Sequence, residues 1–159
     1  MADFTDIVSE FNTIATAQSG INSFKYANAF EINESRTEAK PMMMLQKQRR
    51  INIPDFSKNY KEFQVTFGIY DNYKTAEKST KTYANKQKDL ELLMEQFIRE
   101  LRSRSIGSTT EATTSKDWFI NNSMSMELIE VIGADKLVGI ESTITIRVFN
   151  DCNTGTFSY

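Results

Sequence analysis

The sequence predicts an α+β domain in which a mostly antiparallel sheet of four to five strands packs against an N-terminal helix and one long central helix. The main observation is the last third of the chain, where two β-patterned runs, 118–132 and 137–149, are joined by a tight turn at 133–136. In the second run, apolar and polar side chains alternate, as in a strand with one buried face. The apolar positions are Val138, Ile140, Ile144, Ile146 and Val148. Two segments with helical periodicity supply the layer that covers this face.

A first helix is expected over residues 4–17, because apolar residues recur there at helical spacing. These residues are Phe4, Ile7, Val8, Phe11, Ile14 and Ala15. Asp3, Asp6 and Glu10 lie near the start, where the helix dipole favours acidic groups. Gly20 follows as a natural stop.

Three strands are expected between the helices. The first covers 24–32, where aromatic and aliphatic residues alternate with polar ones. The second covers 42–53 and stops at a proline, and the third covers 63–70 with the clearest alternation of the first half. Polar residues that end at a proline predict a flexible loop near 33–42.

The long helix is expected over 79–104. Its core-facing residues are Leu90, Leu93, Met94, Phe97, Ile98 and Leu101. The segment after it has few hydrophobic residues, which predicts a flexible loop near 106–116. Residues 150–159 are expected to form a C-terminal arm, and the whole chain, 1–159, a single domain.

The composition restricts the class of protein. A chain of 159 residues with 40% hydrophobic and 25% charged residues is typical of one soluble globular domain. No apolar run approaches the roughly 18 residues that a membrane-spanning helix needs. The acidic N-terminus lacks the features of a secretory signal, and a single cysteine fits a reducing interior. We therefore expect no membrane association.

The residue inventory indicates that the protein is not an enzyme. The chain has no histidine and one cysteine, which removes the commonest general base and a structural zinc site. No glycine-rich phosphate-binding string occurs. Glu127, Glu130 and Glu141 lie near the final hairpin, but we expect them on exposed strand faces rather than in an acid–base pair. We predict no catalytic residue, no metal site and no cofactor.

A short basic stretch in the middle of the chain has two interpretations. Lys47, Arg49 and Arg50 precede Tyr60 and Phe63, and basic groups beside aromatic rings are typical of single-strand binding. The alternative function is therefore a nucleic-acid-binding accessory protein that uses the basic region 41–105. A sequence pI of about 5.3 argues against it, since dedicated binders are strongly basic. The competing interpretation is a basic segment that docks on an acidic surface of another subunit.

The run of three methionines before this stretch also has two interpretations. Methionine is flexible and polarizable, so the run can fill an irregular gap in the core or form an adaptable contact surface. Both remain open at this point. The candidate subunit-interface residues are Met42, Met43, Met44, Lys47, Arg49, Arg50, Asp135 and Lys136.

The order of elements and several strings resemble the tail-terminator and tail-completion proteins of tailed bacteriophages, within the broader group of head–tail joining proteins. The strings include the strand at 63–71 that leads into the helix at 89–102. A second string is Ala134-Asp135-Lys136-Leu137-Val138-Gly139-Ile140, followed by the strand at 143–148 and the Asn150-Asp151-Cys152 end.

This resemblance implies a virion structural subunit without catalytic residues, assembled in the host cytoplasm. It would form a homo-oligomeric ring, commonly six-fold, at the head-proximal end of a tail or at the neck. Its partners would be the tail tube and the connector or portal, and DNA would only pass through the lumen. From the charges we add the hypothesis that the basic segment 41–61 of one subunit meets the acidic hairpin end of the next.

Overall fold

The computed structural model of the chain describes residues 4–34, 38–53, 60–105, 118–120, 124–132 and 136–149. The helices are α1 (Phe4–Ala17) and α2 (Lys81–Ser103), with short 3-10 helices at Ala29–Glu34 and Thr75–Glu77. The strands are β1 (Ser23–Ala27), β2 (Met42–Asn52), β3 (Tyr60–Asn72), β4 (Trp118–Ile120), β5 (Ser125–Ile132) and β6 (Lys136–Phe149).

The strands form one sheet in the order β1-β2-β3-β6, with β4 and β5 both paired to the far side of β6. The pair β1 and β2 is parallel, and the other pairs are antiparallel. The longest pairing joins β3 to β6, from Tyr60 opposite Phe149 to Asn72 opposite Leu137. The predicted α+β class with a mostly antiparallel sheet is therefore confirmed.

The edge of the sheet differs in one detail from the sequence prediction. The run 118–132 was expected to form one strand, but it forms two, β4 and β5. Strand β4 pairs with the end of β6 at Ile146–Val148. Strand β5 pairs with the beginning of β6 and forms the predicted hairpin. Among the described residues, six strands therefore occupy five positions across the sheet.

Both α-helices pack on one face of the sheet, which we call the covered face. The predicted apolar positions of β6 are all buried there, as are Phe63, Val65, Phe67 and Ile69 of β3. Phe11 of α1, Phe67 of β3 and Phe97 of α2 meet with ring centroids 5.0 to 5.5 Å apart. Aromatic contacts of this kind add to the burial of apolar area, so this trio joins both helices to the central strand.

Both helices follow their sequence patterns closely. The first has the predicted bounds, and Gly20 beyond it has a φ of 98°, which glycine adopts at little cost. The second begins at Lys81 rather than at residue 79, because Thr80 is still extended. Its buried residues include Leu90, Met94, Phe97, Ile98 and Leu101, as predicted.

The first strand is shorter than predicted. It ends at Ala27, and residues 29–34 turn into a 3-10 helix instead of continuing as strand to residue 32. The backbone N–H of Asn28 donates to the Glu31 carboxylate at 2.5 Å, and the N–H of Glu31 donates to the carbonyl of Asn28. These bonds favour a tight turn over extended pairing.

Some predictions fall outside the described residues. They are the loop at 106–116, the arm at 150–159 and the hairpin-turn residue Asp135. Of the predicted loop at 33–42, residues 33–34 end the first 3-10 helix and Met42 already begins β2.

Candidate functional site

The face of the sheet opposite the α-helices has an apolar end and a polar end. At the apolar end, the first 3-10 helix contributes to a second cluster made of Ala27, Ile32, Met42, Met44, Tyr70 and Leu137. At the other end, β2, β3 and β6 present a surface that we call the polar face. Its residues are Gln46, Gln48, Arg50, Asn52, Glu62, Gln64, Thr66, Thr143, Thr145 and Arg147.

Side chains of the polar face bond across the strands. Thr66 and Thr143 face each other in register, and their hydroxyls are 2.9 Å apart. Arg147 Nε donates to Glu62 Oε1 at 2.6 Å, and its guanidinium lies 5.0 Å from the ring centroid of Tyr60. Cross-strand pairs of this kind stabilise a sheet by roughly 0.2–1 kcal/mol each. These bonds therefore hold the hydroxyls of Thr66 and Thr143 and the side chains of Glu62 and Arg147 in place.

The polar face forms a shallow depression rather than a deep cleft. Its larger part has a volume of about 590 Å³ and is lined by polar side chains from three strands, among them Gln48, Gln64 and Thr143. Small-molecule sites are usually concave and mostly apolar, with a few converging polar groups. A broad polar depression on a rigid sheet is better suited to a macromolecular partner.

Tyr70 marks the boundary between the two ends. Its ring is buried and lies across two glycines: a Cβ at Gly139 would be 2.5 Å from Tyr70 Cδ1, and one at Gly68 would be 2.5 Å from Tyr70 Oη. The hydroxyl donates to Glu141 Oε1 at 2.5 Å. Burial, together with the Glu141 carboxylate, raises the pKa of Tyr70 above its ordinary value.

Sequence reasoning missed this arrangement. Strand alternation puts Tyr70 on the polar side of β3, but it does not predict that the ring is buried there. The available signal was the pair of glycines on the same side of the sheet, with Gly68 two residues before Tyr70 and Gly139 directly opposite it. Glycine inside a strand often marks the close approach of another group.

The three methionines lie inside the subunit. Met43 packs in the main core on the covered face, while Met42 and Met44 pack in the second cluster on the opposite face. All three side chains have no exposed area. Of the two interpretations left open by the sequence, the structure therefore bears out the core role, and a neighbouring subunit cannot contact these side chains directly.

The basic candidates are exposed on the second half of β2, and Arg49 and Arg50 both border the polar depression, but the three side chains do not all turn to one face. The pairing of β2 with β3 shifts between Leu45 and Arg49. Arg49 turns to the covered side, where its Cζ lies 3.8 Å from the ring centroid of Phe4 and its Nη1 donates to Tyr26 Oη at 3.3 Å. Lys47 lies 6.0 Å from the ring of Tyr26.

Arg50 lines the polar face beside Glu62 and Gln64. It is exposed, as are the other residues of 47–53. Of the two hairpin-turn candidates, Lys136 donates a hydrogen bond from Nζ to Thr75 Oγ1 in its own subunit. No described contact joins Lys136 to the basic candidates of β2, and Asp135 lies outside the described residues.

The three carboxylates near the hairpin take part in separate interactions. Glu127 is exposed and lies opposite Glu141, which accepts the bond from Tyr70. Glu130 accepts a bond from the Tyr73 hydroxyl and pairs with Lys78 Nζ at 3.0 Å. Its pKa is lowered, first by the bond from Tyr73 and then by the bond from Lys78. Glu130 is therefore ionised near neutral pH and acts as a hydrogen-bond acceptor.

Within the described ranges, no group of three or more cysteine, aspartate or glutamate side chains is arranged to hold a metal ion. In the same part of the chain, no helix is long and apolar enough to span a membrane. Comparison of the sequence with protein-family models and with curated proteins gave no match.

Proposed function

We propose that this protein is a structural subunit of a virus particle, a tail terminator or head–tail connector of the neck. Copies of the chain form a ring, six-fold in the commonest arrangement, that joins the tail to the capsid connector or portal. The class of protein that we propose comes from the resemblance of the sequence strings and of the element order. Its physical support comes from the surface of the sheet.

The observation that carries the proposal is the polar face. Hydroxyl, amide and guanidinium groups from three strands line it, and bonds hold Thr66 to Thr143 and Arg147 to Glu62. Because the bonded groups are already ordered, binding another protein costs less side-chain entropy. A subunit that works through contacts needs such a surface, and closed rings arise when one kind of contact repeats by rotation.

The architecture also supports the proposal, because the resemblance implies a small α/β subunit that closes into a ring. The α-helices pack on one face of the sheet, and in the described residues they leave the opposite face and the outer strand edges for contacts.

The test is the mass and shape of the purified chain. Native mass spectrometry should show one discrete oligomer, and class averages from electron microscopy should show a closed ring. A monomer at every concentration, including in the presence of purified tail-tube or portal proteins, would contradict the proposal.

The alternative is a nucleic-acid-binding accessory protein that uses the basic region 41–105. The observation that favours it is the exposure of Lys47, Arg49 and Arg50 within one short stretch of β2. Binding should then appear as a mobility shift of single-stranded DNA or RNA that weakens steeply as salt rises. Retention of the shift after Lys47→Glu with Arg50→Glu would contradict this alternative.

A further inference from the structure

We infer that the sheet continues from one subunit into the next through two oppositely charged open edges. The outer edge of β5 in one copy pairs with residues 47–52 of β2 in a second copy. This inference rests on the proposed function, because it names the contact between copies in the ring. It is carried by the exposure, composition and charge of these two strand segments.

The first open edge is β5. In the part of the chain that the structure describes, β5 pairs with β6 and with no strand on its other side. Residues 125–128 are all exposed, and Met126 and Leu128 retain 40% and 41% of their surface. A long strand edge with apolar side chains and unpaired backbone N–H and C=O groups is a template for adding another strand.

The second open edge is the last part of β2. The pairing of β1 with β2 ends where Ala27 lies opposite Gln46. Beyond that point, residues 49–52 pair with β3 alone among the described strands, and residues 47 and 48 lie in the register shift between Leu45 and Arg49. Residues 47–53 are all exposed, and Ile51 and Ile53 retain 55% and 51% of their surface. At about 3.3 Å per residue, the four regularly paired residues span roughly 13 Å, so β5, with 8 residues, is long enough to cover them.

Charge selects which edges pair. The β2 segment carries Lys47, Arg49 and Arg50, whereas β5 carries Glu127; the charge of Glu130, also on β5, is already balanced by Lys78 of the same subunit. Two β2 edges repel each other, and so do two β5 edges, because like charges on adjacent strands destabilise pairing. Each edge therefore attracts only its opposite on another copy. The occupant of the β5 edge is a second copy of this chain, which offers the complementary edge.

The positions of the two edges favour a ring over a pair. They lie on opposite sides of the sheet, because the strand order runs from β2 through β3 and β6 to β5. When two copies join through two different surfaces, one edge of each kind stays free, so the contact can repeat. The copies close into a ring if the rotation between neighbours allows it and form a filament if it does not, and the proposed function requires the ring.

The experiment reverses the charge of each edge in a separate variant and then mixes the two variants. One variant carries Lys47→Glu with Arg50→Glu, and the other carries Glu127→Lys. Arg49 is left unchanged because it packs on Phe4. Alone, each variant should lose the wild-type oligomer in native mass spectrometry. Mixed in equal amounts, they should form an oligomer that alternates the two variants, since each reversed edge then meets an edge of opposite charge.

Matched controls place the same charge changes on the exposed surface of α2. Lys81→Glu with Arg99→Glu, and separately Glu91→Lys, should leave the oligomer unchanged. Higher salt should weaken the mixed and the wild-type oligomers, because exposed charges are screened. Circular dichroism and thermal unfolding should show that every variant is folded.

The outcomes separate this inference from the function on which it rests. Wild-type protein that assembles, together with reversed variants that assemble equally well on their own, overturns the edge contact and leaves the ring intact. Wild-type protein that remains monomeric with its candidate partners overturns both. Failure of the mixture to assemble, when both variants are folded and monomeric, also overturns the inference.

Discussion

The two faces of the sheet are built on different principles. The covered face is an apolar surface packed against two helices, and its centre is the contact of Phe11, Phe67 and Phe97. The opposite face has no α-helix packed on it in the described residues and divides into a small apolar cluster and the polar face. Stability comes mainly from the first face, the second face carries the polar face, and the inferred contact between copies lies at the outer strand edges.

The largest expected effect comes from breaking the covered face. Phe97→Ala removes a fully buried ring that touches Phe11 and Phe67, and we expect a loss of about 3–5 kcal/mol in the free energy of unfolding. Urea denaturation measures it. Leu92→Ala, on the exposed side of the same helix, is the control and should change stability by about 0.5 kcal/mol or less. Equal losses for the two variants would contradict the packing described here.

A smaller effect is expected at the boundary of the opposite face. Gly139→Ala puts a methyl group against the Tyr70 ring, and overpacking of this kind costs about 1–3 kcal/mol. The cost should shrink in a Tyr70→Ala background, because the obstructing ring is gone. A double-mutant cycle by urea denaturation measures the coupling. If the stability losses of Gly139→Ala and Tyr70→Ala are additive, the Tyr70 ring is not the reason why position 139 requires glycine.

The polar face should contribute less. Thr143→Val keeps the branched shape of the side chain but removes the hydroxyl that meets Thr66, so we expect a loss of about 0.2–1 kcal/mol. Thr145→Val on the same strand is the matched control. No side-chain hydrogen bond joins Thr145 to another described residue, so its loss should be smaller. A larger loss for the control would mean that the hydroxyl pair does not order this face.

The last prediction concerns pH. The bond that Tyr73 donates to Glu130 raises the pKa of Tyr73 from about 10 to about 12, so its neutral form is favoured in the folded state. Unfolded chains ionise this tyrosine first, and the free energy of unfolding should therefore fall as pH rises from about 10 to about 12. Denaturation across that range should show a shallower fall for Tyr73→Phe. If the free energy of unfolding falls equally steeply with pH in Tyr73→Phe and in the wild type, the bond from Tyr73 to Glu130 does not cause the fall.

The sequence predicts the covered face well and the opposite face poorly, and the reason is physical. Burial against helices imposes a strict period on Phe63, Val65, Phe67 and Ile69, so the pattern itself reveals the strand. Strand alternation places Tyr70 on the second face but does not predict that it is buried there, because its ring lies over Gly68 of its own strand and Gly139 of β6. The pattern within β3 shows only the first of these glycines.

The candidate site, too, is only partly predictable from the sequence. The basic stretch of β2 is visible in the sequence, and its exposure follows from its charge. Strand alternation alone puts Arg49 and Arg50 on opposite faces, but the register shift after Leu45, which sets their partners on β3, is not visible in the sequence. The burial of all three methionines likewise needs both faces of β2 to be covered, one by helices and one by the first 3-10 helix.

Amide hydrogen exchange tests most directly whether this protein acts by joining its sheet to that of another copy. The assembled wild type is compared with the folded, monomeric Glu127→Lys variant. Peptides that cover residues 47–53 and 124–132 should exchange markedly more slowly in the assembled wild type, while peptides from α2 exchange equally in both. Equal exchange of the two edge peptides in the assembled and monomeric forms would contradict the claim.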